Sequence, residues 1–201
     1  MGGVAYGKGR QALLEAAVTI VAQQGLRGLT YRTVATEAGV TYGLVKHHFG
    51  NWDTLLEEAL EYSLQRSLAG TELESTTPGF DDFAKNLVDF VNGDEEIQAF
   101  QFELALEARR RPELAPVLER VYSEYRAAVS RELLRNGIDD PDLTWAIFAA
   151  LDGMVLQQMV FGAEAATRRA IASLRALLRD YAGSRRGVAG VTKAAPQQLR
   201  D

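Results

Sequence analysis

The chain has 201 residues, of which 47% are hydrophobic and 24% charged, and its formal net charge is −5. This composition is typical of a globular protein with one or two domains and excludes wholesale disorder. The absence of cysteine excludes a disulfide scaffold, a thiolate metal site and a cysteine nucleophile. We find neither an apolar run near the ~20 residues of a membrane span nor a secretory signal, so we expect a soluble cytoplasmic protein.

Hydrophobic residues recur at helical spacing along the whole chain, and no stretch shows the period-2 alternation of a strand. We therefore predict an all-α fold. Thr30, Thr41 and Asn51 are the expected N-caps, while Gly25 and Gly39 are the expected helix ends. These signals place the first helices at about residues 10–24, 31–38, 42–49 and 52–69.

A loop rich in Gly, Ser and Thr follows at residues 70–79. Asp140 followed by Pro141 predicts a helix start, because Pro fits the first helical turn, and Gly162 stops that helix. The later helices are expected at about residues 81–91, 94–111, 113–135, 141–161 and 164–182. Beyond Gly183 the apolar spacing is lost, which predicts a disordered tail over residues 184–201.

The charge is unevenly distributed. Residues 1–50 hold five Lys and Arg against two Asp and Glu, so this part carries +3 and the remaining 151 residues carry −8. A basic head on an acidic body fits a polyanion-binding end, although chance explains an excess of this size equally well.

The most informative segment is residues 30–49, TYRTVATEAGVTYGLVKHHF. Two short helices meet there at a tight turn around Gly39, and the small Ala35 allows a close crossing. Four apolar residues lie where crossing helices would bury them: Val34, Ala38, Val40 and Val45. The pattern predicts a helix-turn-helix, whose second helix enters the major groove of DNA, although a helical hairpin in an ordinary core can mimic it.

Polar positions favour the DNA interpretation. If Val45 faces inward, one outward face carries Tyr42, Gly43, Lys46 and His47. The start of the preceding helix carries Thr30, Tyr31, Arg32 and Thr33, where hydroxyl and backbone N–H groups can hold phosphate. The alternative is a solvated face with two caps, but a solvated face seldom needs two exposed tyrosines.

Two strings of the N-terminal part, ALLEAAVTIVAQQGLRGLTYRTVATEAGVT and HHFGNWDTLL, carry a specific likeness. Through them, residues 10–62 resemble the DNA-binding domain of TetR-family transcriptional regulators. The strings LALEARRRPELAPVL and AALDGMVLQQ are similar to the family's regulatory domain. The resemblance implies a three-helix DNA-binding domain at residues 1–50 and a helical ligand-binding and dimerisation domain at residues 51–183.

The implied function is that of a ligand-responsive regulator, most simply a repressor, that binds a palindromic operator as a homodimer. The recognition helix would read bases through Tyr42, Gly43 and Lys46, next to its cap Thr41, while Tyr31, Arg32, Thr33, His47 and Trp52 would position the protein on phosphates. Two positions depart from the family: Lys46 stands where Tyr is usual, and Trp52 where Lys is frequent.

The resemblance also implies a ligand cavity in the helical body, for a ligand with a sizeable apolar or aromatic part. Its predicted lining consists of aromatic residues and a few polar ones: Phe90, Gln101, Phe102, Glu103, Tyr122, Tyr125, Trp145, Phe148 and Gln157. Each aromatic residue taken singly is also an ordinary core residue.

The segment 141–161 is apolar on more than one face, so it must be covered on several sides. We predict a four-helix interface between two chains, although the chain's own core is an alternative cover. The predicted interface residues are Leu151, Gly153, Met154, Val155, Ile171, Leu174 and Leu178.

Other chemistry finds no support in the sequence. His47 and His48 are adjacent and cannot share a metal at helical spacing, so we expect no metal or other cofactor. The chain lacks a Gly-x-Ser-x-Gly elbow and a phosphate loop, so no catalytic residue is predicted. Two other functions stay open: a DNA-binding regulator controlled by a protein partner, and a helical enzyme or carrier with an accidental helix-turn-helix likeness.

Overall fold

The computed structural model describes residues 6–77 and 79–192, and in these residues it contains nine α-helices and no strand. The helices are α1 (Tyr6–Gln24), α2 (Tyr31–Glu37), α3 (Tyr42–Phe49), α4 (Trp52–Thr71), α5 (Leu87–Gly93), α6 (Glu95–Glu107), α7 (Ala115–Arg135), α8 (Pro141–Phe161) and α9 (Glu164–Thr192). Short 3-10 helices at Leu26–Gly28 and Pro112–Leu114 precede α2 and α7. The all-α prediction is confirmed.

Most predicted helix signals act as expected. The Asn51 carboxamide oxygen accepts from the Thr54 N–H at 2.9 Å, which caps α4. The Asp140 carboxylate accepts from the Leu143 N–H at 2.9 Å, and α8 starts at Pro141 as predicted. Gly162 ends α8 in the left-handed conformation, with φ at 63°.

The predicted helix at residues 81–91 is wrong in its first half, where residues 81–86 form turns and helix begins at Leu87. Ala84 has φ at +52°, and its N–H donates to the Glu72 carbonyl at 3.1 Å instead of to a helical partner. Phe80 and Phe83 are buried at helix-like spacing, so the apolar pattern imitates a helix that the backbone does not form.

The last helix reaches Thr192, ten residues beyond the predicted end at Ala182. Residues 184–192 of the predicted disordered tail therefore lie in this helix, and residues 193–201 lie outside the described part of the chain.

The chain divides into two compact units. The first contains the described residues up to 71 together with residues 89–125. In it, α1 packs against α4 and α6 through a core that includes Leu13, Ala17, Ile20, Leu55, Leu60, Phe100 and Leu104. This unit combines the helix-turn-helix segment with α4 and α6, and the domain boundary at residue 50 stays a prediction.

The second unit contains residues 72–88 and the described residues from 126 onwards. The buried Glu132 carboxylate holds its loop, accepting from the Ser75 N–H at 2.9 Å and from the Asn136 amide at 3.2 Å. The Arg175 guanidinium donates to the Phe83 carbonyl at 2.8 Å, which ties α9 to the same loop. A fully hydrogen-bonded buried carboxylate of this kind has a structural role.

Helix α8 contradicts the expectation that the chain has no apolar run near the length of a membrane span. By length and composition it is apolar enough to cross a membrane, with a mean hydropathy of 1.3 and only 28% of that window buried. A helix with these properties also serves as a core or interface helix, so the test by itself is weak evidence for a span.

Candidate nucleic-acid interface

Helix α2 begins with a reciprocal cap. The Thr30 hydroxyl accepts from the Thr33 N–H at 3.1 Å, and the Thr30 N–H donates to the Thr33 hydroxyl oxygen at 2.9 Å. The Thr33 hydroxyl also donates to the Gly28 carbonyl at 2.7 Å. These bonds fix the start of α2 and leave the N–H groups of Tyr31 and Arg32 directed out of the helix end.

The turn between α2 and α3 needs its glycine. Gly39 has φ at +65°, and no atom lies within 4 Å of the position where a Cβ would stand. The requirement for glycine is therefore conformational and not a matter of space. The Val40 N–H donates to the Ala35 carbonyl at 2.8 Å and closes the turn. Val34 and Val45 are fully buried as predicted, whereas Ala38 and Val40 are only half-buried.

Helix α3 has two distinct faces. Val45, His48 and Phe49 point into the first unit and are buried. The opposite side exposes the four predicted residues, Tyr42, Gly43, Lys46 and His47, and the Tyr42 side chain is 53% exposed. The predicted facing of α3 is therefore confirmed, and its contact with DNA stays a proposal.

Arg10 of α1 supports α3 from behind, and sequence reasoning missed this role. Its guanidinium donates to the His48 carbonyl at 2.8 Å and lies 4.8 Å from the centre of the Phe49 ring. It also pairs with Glu58 of α4, at 3.0 Å from Nε to Oε2. A cation at a helix C-terminus complements the helix dipole. Because Arg10 and Glu58 are 48 residues apart, no local sequence signal reveals the pair.

The two tyrosines of the interface touch each other. The Tyr31 and Tyr42 rings meet edge to face with centres 5.8 Å apart. The Tyr31 hydroxyl is buried without a hydrogen-bond partner among the described residues, and burial, followed by Tyr42 and Asp53, raises the pKa of Tyr31. A groove of about 500 Å³ runs along this face and is lined by Leu29, Thr30, Tyr31, Arg32, Tyr42 and Trp52.

Two predicted phosphate contacts need correction. The Trp52 indole N–H donates to the Leu29 carbonyl at 3.1 Å, so this donor is not available to a phosphate. The Arg111 guanidinium lies 5.1 Å from the centre of the Trp52 ring. The Thr33 hydroxyl and N–H are both used in the cap described above, so neither is free to bind a phosphate. Only the partly exposed ring of Trp52 is left to face a nucleic acid.

Charge on this face comes from Arg32 and Lys46. Both are exposed, and neither has an ion-pair partner in the part of the chain that the structure describes. The pKa of His48 is lowered, first by burial and then by the charges of Arg10 and His47, which keeps that imidazole neutral as a packing residue. Among the described residues there is no group of three or more His, Asp and Glu suited to a metal ion.

The residues of the predicted ligand lining are divided between the two units: those from Phe90 to Tyr125 belong to the first, and Trp145, Phe148 and Gln157 to the second. Glu103, Trp145 and Gln157 are exposed, with Trp145 at 59%. Phe90, Phe102, Tyr122 and Phe148 are half-buried. Gln101 and Tyr125 alone form a buried pair within this set, with the tyrosine hydroxyl donating to the amide oxygen at 3.0 Å. Helical spacing could not show which side of α6 or α8 faces inward.

The predicted interface residues also need correction. Leu151, Val155, Ile171 and Leu178 are buried, with 3–5% of each exposed, so they offer little surface to a partner, while Met154 and Leu174 are half-buried. Gly153 is exposed, and its place in an interface stays a prediction. The exposed apolar residues of α8 and α9 instead include Trp145, Ala149, Leu156, Val160, Phe161 and Leu177.

Two family models match the chain, one in its N-terminal part and one in its C-terminal part. Residues 13–59 match the family described as "Bacterial regulatory proteins, tetR family", and residues 78–183 match "Tetracyclin repressor-like, C-terminal domain". The nicotine-responsive transcriptional repressor HdnoR of Paenarthrobacter nicotinovorans is 27% identical over 161 residues, which cover 74% of this chain and 82% of HdnoR.

Solved structures resemble the chain over most of its length. A Rhodococcus sp. protein assigned to the TetR-family regulators has a TM-score of 0.74 at 24% identity, covering 85% of this chain and 98% of that one. The multidrug binding protein EbrR, solved with imidazole, has a TM-score of 0.60 at 30% identity, covering 83% of this chain and 94% of EbrR.

Proposed function

The chain belongs to the tetR family of bacterial regulatory proteins, and from this premise we propose that it is a cytoplasmic transcriptional repressor. In this proposal it binds an inverted-repeat DNA operator as a homodimer and releases the operator when a small apolar or aromatic ligand binds. The chain is accordingly a non-enzymatic regulator.

The exposed face of α3 carries the DNA part of the proposal. Lys46 and Tyr42 project from a helix whose other face is locked by Val45 and Phe49, so the side chains are held on a rigid support. Gly43 leaves open space above the backbone, which allows close approach of a base or sugar. Arg32 and the free N–H groups at the start of α2 suit the flanking phosphates.

A single recognition helix covers only a few base pairs, so useful specificity needs two copies related by symmetry. The exposed stripe of α8 supports such a pairing, because Trp145, Leu156 and Val160 are 59%, 41% and 61% exposed along one side of the helix. Soluble proteins seldom leave a continuous apolar patch uncovered. Gly153 and Ala149 in the middle of this stripe allow a neighbouring helix to approach closely.

The ligand part of the proposal is supported by a polar array in the core of the first unit. Gln101 contacts the Ser63 hydroxyl at 3.0 Å and the Tyr125 hydroxyl at 2.9 Å, and Gln98 contacts the Ser67 hydroxyl at 3.2 Å. A ligand that enters this core must hydrogen-bond to these groups in place of their present partners, because unpaired buried polar groups are costly. EbrR was solved with proflavin, ethidium and malachite green, and HdnoR is nicotine-responsive, which supports an aromatic ligand.

Selection of bound sequences from random DNA tests the proposal. The full chain should enrich an inverted repeat, and aromatic compounds that raise its melting temperature should lower its affinity for that repeat, because linkage is reciprocal. Failure to enrich any sequence at low salt would refute the DNA function. A stabilising compound that leaves operator affinity unchanged would refute the ligand control alone.

A further inference from the structure

A second cavity lies within the first unit, and its lining shares no residue with the buried polar array. It is a cleft of about 820 Å³ between α1, α4 and the junction of α5 and α6, a volume in the range of small-molecule sites. Its walls include Leu14, Tyr62, Arg66, Ala69, Phe90 and Asp94. Of its lining residues, Arg10 also takes part in the interface described above, as the support of α3.

The shape of this cleft depends on one close contact. The Phe90 ring lies across Gly70 of α4, and a Cβ at Gly70 would stand 2.1 Å from the Phe90 Cδ2 atom. Glycine therefore lets the ring lie flat on the helix and form one apolar wall. The Tyr62 ring supplies a second aromatic surface, with the Arg66 guanidinium 6.0 Å from its centre. Such walls suit a flat ring.

Arg66 is the charged group of the cleft that can take a further anion. Arg10 and Asp94 also line the cleft, and two more carboxylates contact its lining: Glu58 pairs with Arg10, and Glu15 accepts from Gln11 and from the Tyr62 hydroxyl. Arg10 has its donors occupied by Glu58 and the His48 carbonyl, whereas Arg66 bonds Asp94 and makes one contact of 3.4 Å to the Tyr62 hydroxyl. A guanidinium has five N–H donors, so Arg66 retains donors for a further acceptor.

If Asp94 leaves Arg66, its carboxylate has other hydrogen-bond donors nearby, at the start of α6. It occupies the N-cap position of α6, yet its side chain makes no capping hydrogen bond because it is turned towards Arg66. Asp is among the preferred N-cap residues, and the first turn of a helix has N–H groups that lack partners. The ion pair is partly exposed, with the Arg66 side chain at 48% and the Asp94 side chain at 23%, so solvent screens it and its contribution to stability is modest.

From these observations we propose that the cleft binds a small aromatic carboxylate. The ring packs against Leu14, Ala69 and Phe90, and the carboxylate takes the place of Asp94 on Arg66. Asp94 then caps α6. Because Arg10 lines the cleft and also holds the end of α3, a ligand in the cleft lies beside the residue that supports the recognition helix.

The test uses the full chain without DNA, so it does not depend on the proposed repressor function. Phenylacetate and indole-3-acetate are titrated by calorimetry beside phenylacetamide and indole-3-acetamide, which keep the ring but lack the charge. We expect Kd values between about 10 µM and 1 mM for the acids and at least tenfold weaker binding of the amides.

Variants of the two ion-pair partners should move the affinity in opposite directions. Arg66→Gln should weaken binding of the acids at least tenfold, and Asp94→Asn should strengthen it severalfold by removing the competing carboxylate while keeping a good cap. Ala69→Phe, at an exposed position of α4, should block the cleft, and Arg120→Gln on α7 is the matched control that should change nothing. Equal affinity for acids and amides, shifts of the same sign in R66Q and D94N, or binding unaffected by A69F would each overturn the proposal.

Discussion

Helices α3 and α8 both expose one side to solvent, but they expose opposite kinds of surface. The exposed side of α3 carries Tyr42, Lys46 and His47, which are polar at their tips, and its buried side is a small apolar set. Helix α8 is apolar on its buried side and again on its exposed side, where Trp145 and Val160 lie. The polar exposed face suits a hydrated polyanion, whereas the apolar exposed face is stable only when something dry covers it.

The difference also shows in how each helix is held. Helix α3 has eight residues and depends on its surroundings: the left-handed Gly39 before it, Gly50 after it and Arg10 at its last carbonyls. Helix α8 has 21 residues, an Asp140 cap and its own inward core. A short helix fixed at both ends can present side chains precisely to DNA, and a long apolar helix can present area to a partner.

The largest expected effect is on dimerisation through the exposed apolar stripe of α8. Leu156→Glu should raise the dimer dissociation constant at least about a hundredfold, because symmetry buries two unpaired charges in one interface. Sedimentation should show a monomer at micromolar concentration, together with loss of operator binding. Leu106→Glu on α6 is the matched control, since Leu106 is 58% exposed and lies outside the α8 stripe. A dimer as stable in L156E as in L106E would remove this face from the interface.

The polar face should respond to loss of charge. Lys46→Ala should weaken specific DNA binding about ten- to a hundredfold and lower the slope of log affinity against log salt by about 1 if Lys46 contacts a phosphate. Tyr42→Ala should weaken specific binding without unfolding the chain. Lys85→Ala, which removes an exposed lysine paired with Asp82, is the control that should leave both quantities unchanged. If K46A and Y42A bind the selected site as tightly as the parent, α3 is not the reading helix.

An acid within α8 should make stability depend on pH. Burial raises the pKa of Asp152 to about 6, whereas an unfolded aspartate titrates near 3.9. The folded chain therefore binds more protons between these values, and the free energy of unfolding should fall as pH rises from about 4 to 6. Asp152→Asn should flatten this dependence and stabilise the chain by about 1–2 kcal/mol at pH 7, measured by urea unfolding. Asp180→Asn, at an exposed position of α9, should keep the parental profile, and D152N would contradict the account if it did the same.

The smallest expected effects are on the free energy of unfolding, which substitutions at two glycines of the helix-turn-helix should change in opposite directions. Gly39→Ala should cost about 1–2 kcal/mol of unfolding free energy, because its φ of +65° strains any side chain. Gly43→Ala should instead stabilise the chain by about 0.5–1 kcal/mol, since Gly43 lies inside α3 with open space around it. Thermal unfolding of both variants checks the opposite signs. Equal destabilisation would mean that the turn does not depend on its backbone conformation.

Local signals were predictable from the sequence. Thr30, Asn51, Asp140 and Gly162 start or end helices as expected, because caps and stops act within one turn of chain. The facing of α3 was also predictable once Val45 was taken as buried, since one inward residue fixes the rest of a helix.

Contacts between distant segments were not predictable. The indole bond of Trp52 to Leu29 and the Arg10 contact with His48 join residues 23 and 38 apart, and no local spacing encodes them. The outward face of α8 was misjudged for another reason. A helix that is apolar all round has no periodicity that distinguishes its buried side from its exposed side, so Leu151 and Val155 looked equivalent to Leu156 and Val160.

We expect the two faces to work together, with the α8 stripe pairing two chains so that two α3 helices read one inverted repeat. The most direct measurement is the sedimentation stoichiometry of the full chain on the selected duplex and on the same duplex with one half-site scrambled. The account predicts two chains on the intact repeat, with half-site centres about 34 Å apart, and a steep loss of affinity on the scrambled duplex. One chain per duplex, or equal affinity for the intact and the scrambled repeat, would contradict it.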